Sequence, residues 1–148
     1  MSSSGQLLKR YGIVLCLVEA ENTGVQFTTS LKSNQFEYLA DEPVSMGGKN
    51  LGPSPGDYLC MALASCEAMT LRMYIQRKQW DVETINVKVS LSKRDQSPSG
   101  VNTFYSEISV KGNIDDEQLQ RMLHIAKACP FSRLLQKQNK IETTLFAK

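Results

Sequence analysis

Residues 47–80 read GGKNLGPSPGDYLCMALASCEAMTLRMYIQRKQW, and they divide into a loop rich in glycine and proline followed by one long apolar helix. Ser54 can cap this helix, and Pro55 fits the first helical position because its missing N–H would be unpaired there anyway. Asp57 stands where the carboxylate of a capping box would be. No clean polar stripe runs from Tyr58 to Ile75, so we expect a helix that is buried on most of its circumference.

The composition of the 148-residue chain is that of an ordinary globular protein, with 41% apolar and 22% charged residues. We therefore expect a single domain over residues 1–148. The net charge is +2 and no basic run is longer than a pair, which argues against nucleic acid or an anionic membrane as a partner. The apolar run at residues 13–18 is too short for a signal peptide and is interpreted as part of a strand.

Alternation of apolar and polar residues predicts several strands joined by short, turn-rich segments. Three strands are expected before the long helix as an antiparallel meander, two after it as a hairpin, and one at the end of the chain. These predicted strands are Leu7–Val18, Val25–Ser30, Phe36–Ala40, residues 85–91, residues 104–110 and Ile141–Phe146.

Two further helices are predicted in the last third of the chain. Asp115 can cap the first, with Gln118 in the capping-box position, and its apolar residues recur at helical spacing: Leu119, Met122, Leu123 and Ala126. Pro130 then makes Cys129 the N-cap of a short helix over Pro130–Gln138. The pattern as a whole predicts one α+β domain in which antiparallel sheets wrap the long helix.

Free cysteines are typical of a reducing cytoplasm, and the chain has four of them, too few for a disulfide framework: Cys16, Cys60, Cys66 and Cys129. Cys66 lies in the middle of the long helix and is either a packed core residue or a protected reactive thiol. The residues that share its helix face are apolar and supply no base, so a partner has to come from elsewhere in the chain or from another subunit.

Cys129 has a different setting, because a cysteine at a helix N-cap meets free N–H groups and the positive end of the dipole, which favours the thiolate. A structural role is equally open. Two thiols far apart in sequence are what a dithiol peroxidase needs, one to attack the peroxide and one to resolve the sulfenic acid. Cys60 cannot pair with Cys66, because roughly 9 Å of helical rise separates them.

Several short motifs resemble the OsmC/Ohr family of thiol-dependent peroxidases, in particular its OsmC-like branch: Asp41-Glu42-Pro43, Gly47-Gly48, Gly52-Pro53-Ser54-Pro55, Ala64-Ser65-Cys66 and Ala128-Cys129-Pro130. By position, Cys66 matches the family's peroxide-attacking cysteine and Cys129 its resolving cysteine. The resemblance implies an intertwined homodimer with two interfacial sites. It also implies reduction of organic hydroperoxides at the expense of an external dithiol reductant, without a cofactor.

The better-studied branches of that family activate the attacking thiol with an arginine from the N-terminal part and a glutamate near the helix start. The corresponding candidates here are Arg10 and Asp57, although Arg10 is more readily interpreted as a solvated side chain and Asp57 as a helix cap. His124, the only histidine, is expected at the surface. No metal is expected, since C-x-x-C and H-x-x-x-H spacings are absent from the sequence.

A second hypothesis uses the same fold without catalysis. In this alternative the chain binds a small apolar ligand or senses redox state slowly, and its cysteines serve mainly for packing. Rapid consumption of peroxide that depends on Cys66 would eliminate the alternative.

Overall fold

The structure, a computed structural model, describes residues 16–93, 95 and 98–147. The chain divides after Tyr58 into two compact units. The described residues form an α+β fold with three α-helices, one 3-10 helix and five strands in two antiparallel sheets. None of the helices described is long and apolar enough to pass through a membrane.

The first unit contains a three-stranded antiparallel sheet in the order β1, β2, β3. Its strands are β1 (Glu19–Glu21), β2 (Thr29–Ser33) and β3 (Phe36–Ala40), so the bounds of Phe36–Ala40 and its antiparallel pairing with the preceding strand are confirmed, whereas β1 was not predicted. The predicted strand Leu7–Val18 lies mostly outside the described residues, and residues 16–18 have no regular structure.

The predicted strand Val25–Ser30 begins four residues too early. The side-chain amide of Asn22 donates to the carbonyl oxygens of Val25 and Thr28 at 2.7 and 3.2 Å, and Gly24 takes a positive φ of 95°. These contacts fold residues 22–28 into a loop, because the backbone oxygens bound by Asn22 are withdrawn from strand pairing. Thr29 is consequently the first residue of β2.

A loop that leads from β3 to the long helix is organised by the carboxylate of Asp41, a residue only 2% exposed. Asp41 accepts hydrogen bonds from the backbone N–H groups of Glu42, Lys49 and Leu51 and from the hydroxyl of Thr28. Burial acts to raise the pKa of Asp41, but these four donors outweigh it and the pKa is lowered. The loop is thereby held by one buried charge.

The long helix, α1 (Pro55–Lys78), begins as the sequence predicts. Asp57 Oδ2 accepts from the N–H of Ser54 at 2.9 Å, and Ser54 Oγ accepts from the N–H of Asp57 at 3.3 Å, which is a reciprocal capping box. The expected burial on most of the circumference is not found within one chain. Met69 and Met73 are 65% and 71% exposed, because the core covers only the opposite face of the helix.

The second unit packs α1 against a hairpin of two long strands, β4 (Asp81–Ser92) and β5 (Thr103–Asn113). Both were predicted, and both extend beyond their predicted bounds. The buried core contains Leu71 and Ile75 from α1 and Val82 from β4, together with two residues of the next helix: Met122 and Ala126.

That next helix, α2 (Asp116–Lys127), has the predicted capping box between Asp115 and Gln118. Of its four predicted core residues, Met122 and Ala126 are buried, whereas Leu119 and Leu123 are 40% and 44% exposed.

The last helix, α3 (Pro130–Gln136), follows Cys129 as its N-cap and ends two residues before the predicted limit. The predicted strand Ile141–Phe146 is wrong. These residues have no regular structure, and Ile141 and Leu145 are 89% and 96% exposed. A strand needs a neighbour for its backbone groups, and the segment pairs with none of the described strands.

Candidate functional site

Two cysteines that are remote in sequence come together in the second unit. Cys66 is placed by the middle of α1 and Cys129 by the junction between α2 and α3. The Cys66 thiol lies close enough to Cys129 to raise its pKa, and both residues are free thiols. Cys66 is half-buried, whereas Cys129 is fully buried, so only Cys66 offers surface to an incoming molecule.

The Cys129 sulfur accepts a hydrogen bond from the backbone N–H of Ser132 at 3.3 Å, as expected for an N-cap. Burial nevertheless raises the pKa of Cys129, and the neighbouring Cys66 and the charge of Glu67 raise it further. The Ser132 hydrogen bond lowers the pKa without offsetting these effects. The helix cap favours the thiolate as expected, but desolvation of the charged form is the larger effect, so the pKa of Cys129 is raised on balance.

Glu67 is a residue of this site that the sequence interpretation missed. It directly follows Cys66, is 5% exposed, and accepts a hydrogen bond from the hydroxyl of Ser106 on β5 at 2.5 Å. Glu67 lies about 100° around the helix from Cys66, and its charge acts on Cys129. A sequence signal was present, since Glu67 is the only carboxylate between Tyr58 and Lys78 in an otherwise apolar helix.

A cavity of about 630 Å³ adjoins Glu67 and the start of α3. Its polar lining includes Glu67, Ser106 and Ser132, and its apolar lining includes Leu63 and Phe104. A pocket of this size and mixed lining suits a small organic molecule with an apolar body.

Comparison with known families gives one match. The matching family is described as OsmC-like protein, and the match covers residues 47–144. The chain belongs to this OsmC-like family. The matched segment contains the loop before α1 and both Cys66 and Cys129, and it covers most of the chain. The sequence has no match among curated proteins.

Solved structures with the OsmC-like fold include three that illustrate the range of similarity. An osmotic stress induced and detoxification response protein from Psychrobacter arcticus has 21% identity and a TM-score of 0.67, over 84% of this chain and 90% of that chain. An OsmC like protein from Mycoplasma pneumoniae has 19% identity and a TM-score of 0.67, over 83% and 88%. The organic hydroperoxide resistance protein OhrB of Bacillus subtilis has 18% identity and a TM-score of 0.58, over 83% and 91%.

Of the two other sequence-predicted site residues of this OsmC-like chain, only Asp57 is among the residues that the structure describes. Arg10 lies outside the described residues. Asp57 is engaged in the capping box with Ser54, which lowers its pKa, and nine residues of helix separate it from Cys66, or about 13 Å of rise.

Arg72 has a structural role and His124 lies at the surface in this OsmC-like protein. Arg72 donates to the carbonyl oxygens of Val82 and Glu83 at 2.8 and 3.0 Å and so ties α1 to β4. His124 is exposed on α2. In the described part of the chain, no three metal-ligating side chains converge.

Proposed function

We propose that this OsmC-like protein is a cytoplasmic, homodimeric, thiol-dependent peroxidase that reduces organic hydroperoxides. The observation that supports the proposal best is the pairing of a half-buried Cys66 with a fully buried Cys129. One thiol is accessible to a substrate and the other is held next to it, which is the arrangement that a two-cysteine peroxidase requires. The free cysteines suit a reducing compartment.

In the proposed reaction, the Cys66 thiolate attacks the terminal oxygen of the hydroperoxide. A sulfur–oxygen bond forms, the oxygen–oxygen bond breaks, and the alcohol leaves after taking up a proton. Cys129 then attacks the sulfur of the Cys66 sulfenic acid, forming a disulfide and releasing water. An external dithiol reduces this disulfide by thiol–disulfide exchange and becomes a disulfide itself.

The homodimer in this proposal is supported by the uncovered face of α1. Leu59, Met61, Met69 and Met73 are each about half exposed or more, so a long apolar helix is left partly in water. Burying these side chains against a second copy would remove that apolar surface from water. Light scattering after size exclusion tests this, with a dimer expected for the wild type and a larger monomer fraction for Met69→Glu/Met73→Glu.

The test of catalysis is peptide mapping under non-reducing conditions after one equivalent of an organic hydroperoxide is added to the reduced protein. A Cys66–Cys129 disulfide is expected. In Cys129→Ser, the expected product is a sulfenic or sulfinic acid on Cys66, whereas the matched control Cys60→Ser should behave as the wild type. If Cys66 and Cys129 stay reduced while the peroxide persists, the proposal is wrong.

A non-catalytic binding protein is the second candidate, and the cavity of about 630 Å³ favours it. Its mixed lining would accept a small ligand whether or not the thiols react. Ligand-dependent stabilisation of Cys66→Ser by a small apolar compound, together with peroxide that persists in the presence of the wild type, would support this candidate.

A further inference from the structure

Glu67 has an unusual environment for a carboxylate. It lies on the face of α1 that also carries Leu63 and Leu71 into the interior, and only 5% of its surface is exposed. Its one hydrogen bond among the described residues comes from the hydroxyl of Ser106. No described Lys, Arg or His forms an ion pair with it. Burying a carboxylate with so little compensation costs free energy, which makes a purely structural role a poor explanation.

Cys129, whose pKa the charge of Glu67 helps to raise, is a group that needs a base. A thiol attacks sulfur as the thiolate, and the fully buried Cys129 lies where burial favours the neutral form. The raised pKa of Cys129 agrees with this geometry. Cys129 therefore has to lose a proton when it condenses with oxidised Cys66.

Few groups around Cys129 could take that proton. The titratable groups that act on it are Cys66 and Glu67, both from α1. The start of α3 offers the N–H of Ser132, which is a donor, and β5 offers the hydroxyl of Ser106, which already donates to Glu67. Lys127 of α2, a positively charged side chain, lines the adjoining cavity. Once Cys66 is a sulfenic acid, Glu67 is the remaining base among the described groups that act on Cys129.

The cavity offers a path for the proton from Cys129 to Glu67, because both Glu67 and Ser132 line it. Ser132 is the residue whose N–H contacts the Cys129 sulfur. The cavity is large enough to hold water, and a general base acts either directly or through one water molecule.

We propose that Glu67 accepts the thiol proton of Cys129 as Cys129 condenses with the Cys66 sulfenic acid. The Cys129 proton moves to the Glu67 carboxylate while the Cys129 sulfur attacks the Cys66 sulfur. The sulfur–oxygen bond of the sulfenic acid breaks as the sulfur–sulfur bond forms. The departing hydroxyl group takes the proton back from Glu67 and leaves as water, so Glu67 returns to its initial state and no other reactant is consumed.

This inference rests on the proposed peroxidase function, and the experiment separates the two. Reduced wild type, Glu67→Gln and the matched control Glu107→Gln are mixed with one equivalent of an organic hydroperoxide and quenched over time. Mass spectrometry follows loss of the Cys66 thiol and appearance of the Cys66–Cys129 disulfide as separate steps. Glu107 is an exposed carboxylate on β5 next to Ser106, so its substitution removes the same charge outside the site.

Glu67→Gln is expected to leave the first step within a few-fold of wild type and to slow the second about 100-fold at neutral pH. The deficit should shrink as the pH rises towards the Cys129 pKa, because the thiol then ionises without a base. Ser106→Ala, which frees the carboxylate from its hydrogen bond, is expected to slow the second step less. Circular dichroism and thermal unfolding establish that each variant is folded.

Three outcomes would overturn the assignment. Equal disulfide formation in Glu67→Gln and wild type at neutral pH would show that another group takes the proton. A deficit that is the same at every pH would make Glu67 a structural residue. A similar slowing of disulfide formation in Glu107→Gln would show that the loss of one negative charge, wherever it lies, causes the deficit. If the wild type itself fails to oxidise Cys66, the peroxidase function fails, and Glu67 loses its proposed role with it.

Discussion

The Nε atom of Arg121 lies 3.1 Å from the hydroxyl oxygen of Tyr74, so α2 is tied to the C-terminal half of α1. The same guanidinium lies 5.8 Å from the centre of the Tyr74 ring, and the ring of Trp80 meets Tyr74 edge to face at 5.5 Å. The hydrogen bond from Arg121 is the main reason that the pKa of Tyr74 is lowered. This contact secures the end of α1 that is remote from its cap.

The substitution Arg121→Met is therefore expected to raise the pKa of Tyr74 towards its ordinary value, because the donor to the phenolate is lost. A pH titration of the Tyr74 ring signal by NMR measures it. Arg77→Met is the matched control, since the Arg77 guanidinium lies 5.4 Å from the same ring centre and makes only a weak Coulombic contribution. A larger shift in Arg77→Met would contradict the assignment.

The substitution Asp41→Asn is expected to lower the free energy of unfolding at neutral pH. The amide that replaces the carboxylate cannot accept all four hydrogen bonds as strongly. Because the folded-state pKa of Asp41 is lowered, its contribution is present above the unfolded-state value and is lost as the pH falls through the folded-state pKa. The wild type and Asp41→Asn should thus converge in acid.

Urea unfolding over a pH series measures this convergence. Asp81→Asn, which alters an exposed carboxylate on β4, serves as the control. A constant difference between Asp41→Asn and the wild type down to the lowest pH would refute the assignment.

The substitution Gly48→Ala is expected to destabilise the protein by at least about 3 kcal/mol, since its effect is a backbone clash. A Cβ at Gly48 would lie within van der Waals overlap of the backbone of Glu42, leaving no flexible atom to move aside. Gly56→Ala in α1 is the matched control, because its Cβ would have only Ser54 Oγ nearby, at 3.8 Å. That control should be neutral or stabilising by up to about 1 kcal/mol. Chemical denaturation compares the two variants. Equal effects would contradict the close approach of Gly48 to the backbone of Glu42.

The capping box of α1 predicts that Ser54→Ala and Asp57→Ala each lower the free energy of unfolding by about 1 kcal/mol. Both substitutions break the same reciprocal pair, so the double variant should lose less than the sum of the single variants. Additive losses would contradict this pairing.

The rate of Cys66 oxidation, measured on the same variants, separates a helix cap from a site residue. A rate deficit in Asp57→Ala that Ser54→Ala lacks would assign Asp57 to the chemistry.

Helix starts could be predicted from the sequence because their signals are local. Ser54, Asp115 and Cys129 each begin a helix as expected, since a cap depends on residues three positions away. Strand pairing is not local in this sense. The segment 141–146 is rich in β-branched and aromatic residues, yet whether it pairs depends on a neighbouring strand that its own residues do not specify.

The candidate site was predictable only in part, for a similar reason. Motifs identified Cys66 and Cys129, whereas Glu67 was overlooked because its significance depends on the approach of β5 and of Cys129 from distant parts of the chain. The net direction of the Cys129 pKa shift could not be predicted, because local cap geometry is visible in a sequence and burial is not.

The hydrogen bond between the N–H of Ser132 and the Cys129 sulfur gives the protein a built-in spectroscopic reporter. The atom that accepts this bond is the same atom whose electron density changes when a thiol becomes a disulfide. The chemical shift and exchange rate of the Ser132 amide proton therefore register the oxidation state of the sulfur directly. Redox chemistry in the interior becomes readable at a single backbone position without any added label.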